Sequence, residues 1–301
     1  MRPFAVGPIN AATPTPLLPD GALDQASVRG LCRHWLDIGL DGVMLLGSMG
    51  EGPLLPDTVR NAFVEQVLAE VGDRLTIFVS AADLSRERML ERARRYAAMG
   101  AHCIVLCATP RVSTTKVVAD IKSVAEACSV PCAYYEVPAN TGVALILDEL
   151  LDILNHENVR VLKDSTDSSL IAQGLTAPDH RPAGVAVLDG SEYRTVYSAA
   201  LNYDGVLHGG GALTGRWVRR IWEMMHRGET AAAVDQDRAK ALFLSAVYNR
   251  FTRRLQHAIG QKYALKLLGI LDHAAVLLDQ AMDDRDRQRV AEALNAHRGD
   301  L

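Results

Sequence analysis

The sequence predicts an α/β protein, a (β/α)8 TIM barrel with a C-terminal helical extension. Eight short runs of strand type recur over the first two thirds of the chain. Most are continuously apolar, as parallel strands covered on both faces require. Longer stretches with apolar residues at helical spacing separate them, the alternation that builds a parallel sheet. A weak internal echo adds to this. IGLDGVMLL (38–46), MGAHCIVLC (99–107) and LNYDGVLHG (201–209) each read as a helix exit, a turn and an apolar strand.

In chain order the strand runs are FAVGPIN (4–10), GVMLLG (42–47), LTIFVS (75–80), CIVLCA (103–108), CAYYEV (132–137), VRVLK (159–163), GVAVLD (184–189) and GVLHG (205–209). The helical stretch 23–39 spaces Leu31, Trp35 and Ile38 along one face, and 85–100 and 114–128 read the same way. Gly39 and Gly100 stand where helix C-caps are expected. After residue 211 the strand runs stop, and 212–228, 230–256 and 260–296 read as helical. The expected division is a barrel catalytic unit over 1–211, with the last barrel helix and helical extension over 212–301.

Composition narrows the function. A hydrophobic share of 49% in 301 residues is enough for one sizeable core. The formal net charge of -4 gives no reason to expect a nucleic-acid partner. Five cysteines, an odd count without a CxxC pair, read as reduced thiols. MRPFAVGPINAATPTP lacks the long apolar core of a signal peptide. No apolar run reaches the ~18 residues a membrane helix needs. A cytoplasmic location without membrane contact is therefore expected.

In this fold the chemistry sits at the C-terminal ends of the strands. Five runs end in polar or glycine-rich turns: GSMGEG (47–52), YYEVPANTG (134–142), Lys163, DGSE (189–192) and HGGG (208–211). A lysine at a strand end is ordinarily solvated. In an apolar pocket its ammonium is poorly hydrated, and the free amine becomes available for imine formation with a carbonyl compound. Tyr135 is the second candidate, either a core tyrosine or a phenol that passes protons near the lysine. Tyr134 falls on the opposite face of a regular strand. GSMGEG fits neither phosphate-loop pattern, and Pro53 and Pro56 delay the following helix. Its turn can still present the backbone N–H groups of Ser48 and Met49 to a carboxylate. The residues 209–211 are either a plain turn or room for a ligand. No metal is expected, because Cys103, Cys107, His102 and His208 lack partners at ligand spacing.

Together these segments resemble the pyruvate-dependent class I aldolases of the N-acetylneuraminate lyase and dihydrodipicolinate synthase superfamily. AATPTPLLPDGALD (11–24) resembles the family's opening and GSMGE its carboxylate-binding motif. YYEVPANTG and LKDST resemble the tyrosine and Schiff-base lysine segments, and the likeness covers nearly the whole chain. The resemblance implies that Lys163 forms an imine with pyruvate or a related 2-oxo acid and that Tyr135 is the proton relay. It implies that Ser48 hydrogen-bonds that tyrosine and that Ser48 and Met49 hold the pyruvate carboxylate. Leu207 takes the place of a backbone contact near pyruvate. Gly190 and Glu192 fall where the lyases bind a hydroxylated tail. No cofactor is implied beyond the covalent imine. The partners implied are pyruvate and an aldehyde, within a homo-oligomer, tetramer or dimer.

The departures are informative. Asn140 stands where the synthases carry an arginine for a carboxylate. TPRVS (109–113) lacks the tyrosine that synthases lend across a subunit interface, and Met49 replaces a second hydroxyl residue. A serine used by the lyases is glycine in HGGG. Glu136 and Arg111 are unusual, as substrate-tuning or surface residues. The expectation is a lyase or aldolase that cleaves or forms a C–C bond between pyruvate and an aldehyde. The alternatives are a Schiff-base dehydratase of a sugar-derived 2-oxo acid, a dihydrodipicolinate synthase-like condensation, and a catalytically idle ligand-binding barrel.

Overall fold

The structure is a computed structural model that describes residues 4–110, 112–251 and 255–301. Eight parallel strands close into one barrel in sequential order. They are β1 (Ile9–Ala12), β2 (Gly42–Leu45), β3 (Thr76–Ser80), β4 (Cys103–Cys107), β5 (Cys132–Glu136), β6 (Val159–Asp164), β7 (Ala186–Asp189) and β8 (Gly205–His208). The barrel helices are α1 (Gln25–Asp37), α2 (Asp57–Val71), α3 (Arg86–Met99), α4 (Thr114–Glu126), α5 (Pro138–Thr141), α6 (Leu147–Leu154), α7 (Ser169–Thr176), α8 (Thr195–Ala200) and α9 (Gly211–His226). Three more form the extension: α10 (Thr230–Tyr248), α11 (His257–Leu267) and α12 (Asp284–His297). The eight-strand barrel is thus as the sequence predicts. Gly39 (φ 73°) and Gly100 (φ 100°) take the left-handed conformation that ends α1 and α3.

Register decides which side chains meet. Ala12 pairs with Met44, Tyr135 with Lys163, and Lys163 with Leu188. Paired residues of parallel strands share a face, so these side chains project together toward the barrel axis. Glu136, Asp164 and Asp189, one position on in their strands, are also paired and face the helix layer. There the Tyr203 hydroxyl donates to Asp164 at 2.6 Å, and the Ser198 hydroxyl and Arg194 Nε donate to Asp189 at 2.6 and 3.0 Å. A register shift at Cys132/Ala133 inserts one extra residue, Arg160, on the β6 side before Tyr135 and Lys163 come level.

Three sequence expectations are corrected. The first strand begins at Ile9, not at residue 4, because Pro8 has no N–H to donate and adds only its carbonyl, bonded by Val206 N at 2.7 Å. The helix expected over 230–256 stops at Tyr248, where Asn249 turns to φ 50°. The helical reading of 260–296 fails in its middle. Gly269 (φ 74°) terminates α11, and tertiary bonds hold the chain beyond it in an irregular path: Lys262 Nζ donates to the Ala275 carbonyl at 2.8 Å and Leu277 N to Glu51 Oε2 at 2.7 Å. The helix resumes behind a capping box between Asp283 and Asp286.

His208 is buried on β8, and burial, with the Lys240 ammonium next, pushes its imidazole well below the ordinary 6.5. Below about pH 6.5 the unfolded chain takes up a proton that the folded chain refuses, so this residue lowers stability as pH falls through that value. Replacing it by Leu is expected to flatten the acid limb of stability by up to ~1.4 kcal/mol per pH unit. Urea unfolding from pH 7 to pH 5 checks this, and an unchanged slope contradicts it.

Candidate active site

Lys163 ends the inward face of β6, and its side chain is buried beside residues of β5 and β2. Its Nζ lies 4.1 Å from the centroid of the Tyr135 ring and 3.9 Å from Met44 Sδ. A small cavity at the C-terminal mouth of the barrel is lined by Lys163, Tyr135, Ser48, Met49, Gly190 and Glu192, with Ala12, Gly209 and His257. Six of the seven residues singled out from sequence therefore share one chamber. The seventh, Leu207, is buried in β8 beside Asn10 and does not line it.

The turn after β2 is held by N–H groups of Gly50, Glu51 and Gly52, which donate to the carbonyls of Gly47, Ser48 and Gly47 at 3.1 Å each. Those of Ser48 and Met49 take no part in it. Asn140 Nδ2 donates to Ser48 Oγ at 2.6 Å, joining the strand-5 and strand-2 turns. Ser48 accepts in that bond, so its own hydroxyl hydrogen points elsewhere. Tyr134 is fully buried on the outer face and donates to Glu136 Oε2 at 2.7 Å, while Leu145 N donates to Glu136 Oε1 at 3.0 Å. Glu136 is thus a loop anchor and lies off the chamber. Arg111 lies outside the described residues.

Gly190 cannot be enlarged. A Cβ there would strike Ser165 Oγ and come within 3.0 Å of Lys163 Cε. Gly190→Ala is expected to displace the lysine and lower kcat/KM by about 10²-fold with little change in affinity for non-covalent carboxylates. Steady-state kinetics alongside inhibitor binding checks this. At Gly210 a Cβ would meet Leu244 Cδ2 at 2.7 Å and Tyr248 Oη at 2.9 Å. The glycine run in HGGG therefore makes room for the extension.

The extension closes one side of the mouth. The Glu192 carboxylate accepts from Gly210 N and from Tyr248 Oη at 3.1 Å, and its Oε1 lies 3.5 Å from His257 Nδ1. The rings of Tyr248 and His257 stack at 3.9 Å. Lys240, fully buried, donates to the Glu192 carbonyl at 2.8 Å and to Thr195 Oγ1 at 2.6 Å, and its Nζ pairs with Asp237 at 2.8 Å. Lys262 pairs with Glu51 at 2.8 Å, both side chains without exposure. Burial holds both ammonium groups below their ordinary range. Sequence reasoning missed His257, Lys240 and Lys262: none carries a motif, the two lysines lie in stretches that read simply as helix, and His257 lies between those stretches.

A model of the dihydrodipicolinate synthetase family matches residues 5–296. The chain belongs to that family. A 4-hydroxy-tetrahydrodipicolinate synthase of Acidothermus cellulolyticus is 28% identical over 277 residues, covering 90% of this chain and 85% of the relative. One from Chlorobaculum parvum is 26% identical and covers 91% of each. Among solved structures, a dihydrodipicolinate synthase of Bacillus anthracis superposes with a TM-score of 0.91 at 18% identity, over 97% of this chain and 99% of that one. CdNal of Clostridium difficile, solved with mannosamine, gives 0.89 at 16% identity, over 99% and 100%. The family consists of pyruvate-dependent, Schiff-base-forming aldolases and lyases, so the chain is an enzyme of that class. Among the described residues no helix is long and apolar enough to cross a membrane, and no three His, Cys, Asp or Glu converge to hold a metal.

Proposed function

We propose that this enzyme joins pyruvate to an aldehyde, or cleaves the corresponding 4-hydroxy-2-oxo acid, through an imine on Lys163. The observation that carries the reading is the buried Lys163 amine, 4.1 Å from the Tyr135 ring centroid in a chamber shared with Ser48 and Met49. The amine adds to the pyruvate carbonyl and water leaves. Tyr135 gives its proton to the departing water, and its phenolate then takes one from the methyl carbon next to the iminium, which leaves an enamine. That carbon attacks the aldehyde carbonyl, and the displaced π pair takes a proton from Tyr135 as the new hydroxyl forms. Hydrolysis returns the free lysine, and cleavage is the reverse. The N–H groups of Ser48 and Met49, left out of their own turn, receive the pyruvate carboxylate.

Gly190 keeps the lysine in place and Glu192 shapes the wall, while Leu207 stays off the chamber, buried in β8. The imine is the only covalent group this chemistry needs. Residues 1–211 act as the catalytic barrel and 212–301 as last barrel helix and extension, in a cytoplasmic homo-oligomer, a tetramer or dimer. Incubation with pyruvate, borohydride reduction and peptide mass mapping tests the reading. A reduced pyruvyl group on Lys163, missing from Lys163→Ala, is expected. A folded enzyme that yields no adduct refutes the imine.

A further inference from the structure

A second, larger cavity of about 590 Å³ opens beside the lysine chamber, and Tyr135 and Ser48 line both. A reactant held there meets the enamine across the Tyr135 hydroxyl. The opposite side of the chamber is filled, because Glu192 is tied to Gly210, Tyr248 and His257. The body of the second substrate therefore has room only in the larger cavity.

The walls of that cavity define its chemistry. Leu46, Leu55, Ala108, Pro110 and Val137 supply apolar surface. Around Tyr135 the polar lining is neutral: Ser48, Asn140, Thr141 and Cys107. The Thr141 hydroxyl is committed to the carbonyls of Val137 and Val143 at 3.3 and 3.1 Å. Burial pushes the Cys107 thiol up to about 12, so it carries no charge at neutral pH. The cations in the lining are already engaged. Arg60 donates to the carbonyls of Leu55 (2.9 Å) and Gly52. Arg92 donates to the Ala82 carbonyl at 3.0 Å and pairs with Asp57 at 3.1 Å and with Asp83. Arg88, at the solvent rim, pairs with Asp83 at 3.3 Å. Among the described residues, an anionic tail would lose its hydration against this wall and gain a cation only by breaking bonds already made.

We infer, resting on the imine reading above, that the second substrate is an aldehyde with an uncharged, largely apolar tail, an aryl or branched alkyl group, and that Asn140 excludes carboxylated and phosphorylated aldehydes. Asn140 holds the Ser48 hydroxyl at 2.6 Å and offers a neutral amide where an anion would need a guanidinium.

The test uses the full chain with pyruvate and matched aldehyde pairs: benzaldehyde against 4-carboxybenzaldehyde, isovaleraldehyde against succinic semialdehyde, and glyceraldehyde against its 3-phosphate. The neutral member of each pair is expected to have a kcat/KM at least about tenfold higher. Within Asn140→Arg, the ratio of carboxylated to neutral turnover is expected to rise by about 10- to 100-fold. This ratio is internal to each variant, and the wild-type panel decides alone if the variant fails to fold. Equal or better turnover of the anionic members overturns the inference. So does pyruvate trapping on Lys163 without turnover of any neutral aldehyde. Absence of a trapped adduct overturns the imine reading itself, and this inference with it.

Discussion

Lys163→Ala is expected to reduce kcat/KM for pyruvate-dependent turnover by about 10³-fold or more, since the covalent intermediate proposed on this residue is lost. Lys163→Arg should fare no better, because a guanidinium remains protonated and cannot form the imine. The fold should not suffer. Lys163 is only 4% exposed, and a buried amine contributes a desolvation cost instead of a packing gain. Lys163→Met is therefore expected to melt at or above the wild-type temperature while being inactive. Calorimetry beside initial rates separates the two effects. A variant that lost activity and stability together would show that the lysine is a structural element.

The second large effect concerns the pair Glu51–Lys262. Both side chains are fully buried at 2.8 Å, and Glu51 also accepts from Leu277 N at 2.7 Å. Lys262→Met leaves a carboxylate buried without its cation, and is expected to cost about 3–5 kcal/mol. The double variant Glu51→Gln/Lys262→Met has no charge left to bury and should recover more than half of that loss. Urea unfolding of the single and double variants measures both terms. A single variant as stable as the wild type would mean that the pair is not coupled in solution. The site should respond too. Glu51 sits at φ 54° in the turn that carries Ser48 and Met49, so its release is expected to raise KM for pyruvate.

The strands were legible because a parallel strand covered on both faces must be apolar throughout, which leaves runs such as CIVLC with no other reading. Lys163 and Tyr135 were legible for the converse reason: each is a polar interruption at the end of such a run. Their register was not. It depends on the shift at Cys132/Ala133, and a bulge has no composition of its own. The first strand was read too early because Phe4 and Val6 are more hydrophobic than Ala11 and Ala12, although Pro8 prevents ladder bonding ahead of Ile9. The extension was the least legible part. Residues 268–283 contain good helix formers, yet Lys262 and Glu51 fix their backbone through long-range bonds. His257 reaches the chamber from a helix whose sequence gives no sign of it.

The contacts of Glu51 with Lys262 and of Glu192 with His257 also bear on biosynthesis. Glu51 and Glu192 leave the ribosome well before Lys262 and His257, so a nascent barrel must wait with two acidic groups whose partners have not yet been made. The apolar strands can collapse early, but the mouth cannot close until the last helices arrive. Newly made chains should therefore acquire compactness before they acquire the chamber proposed to form the imine, and translation arrested before α11 should yield a barrel that binds pyruvate poorly.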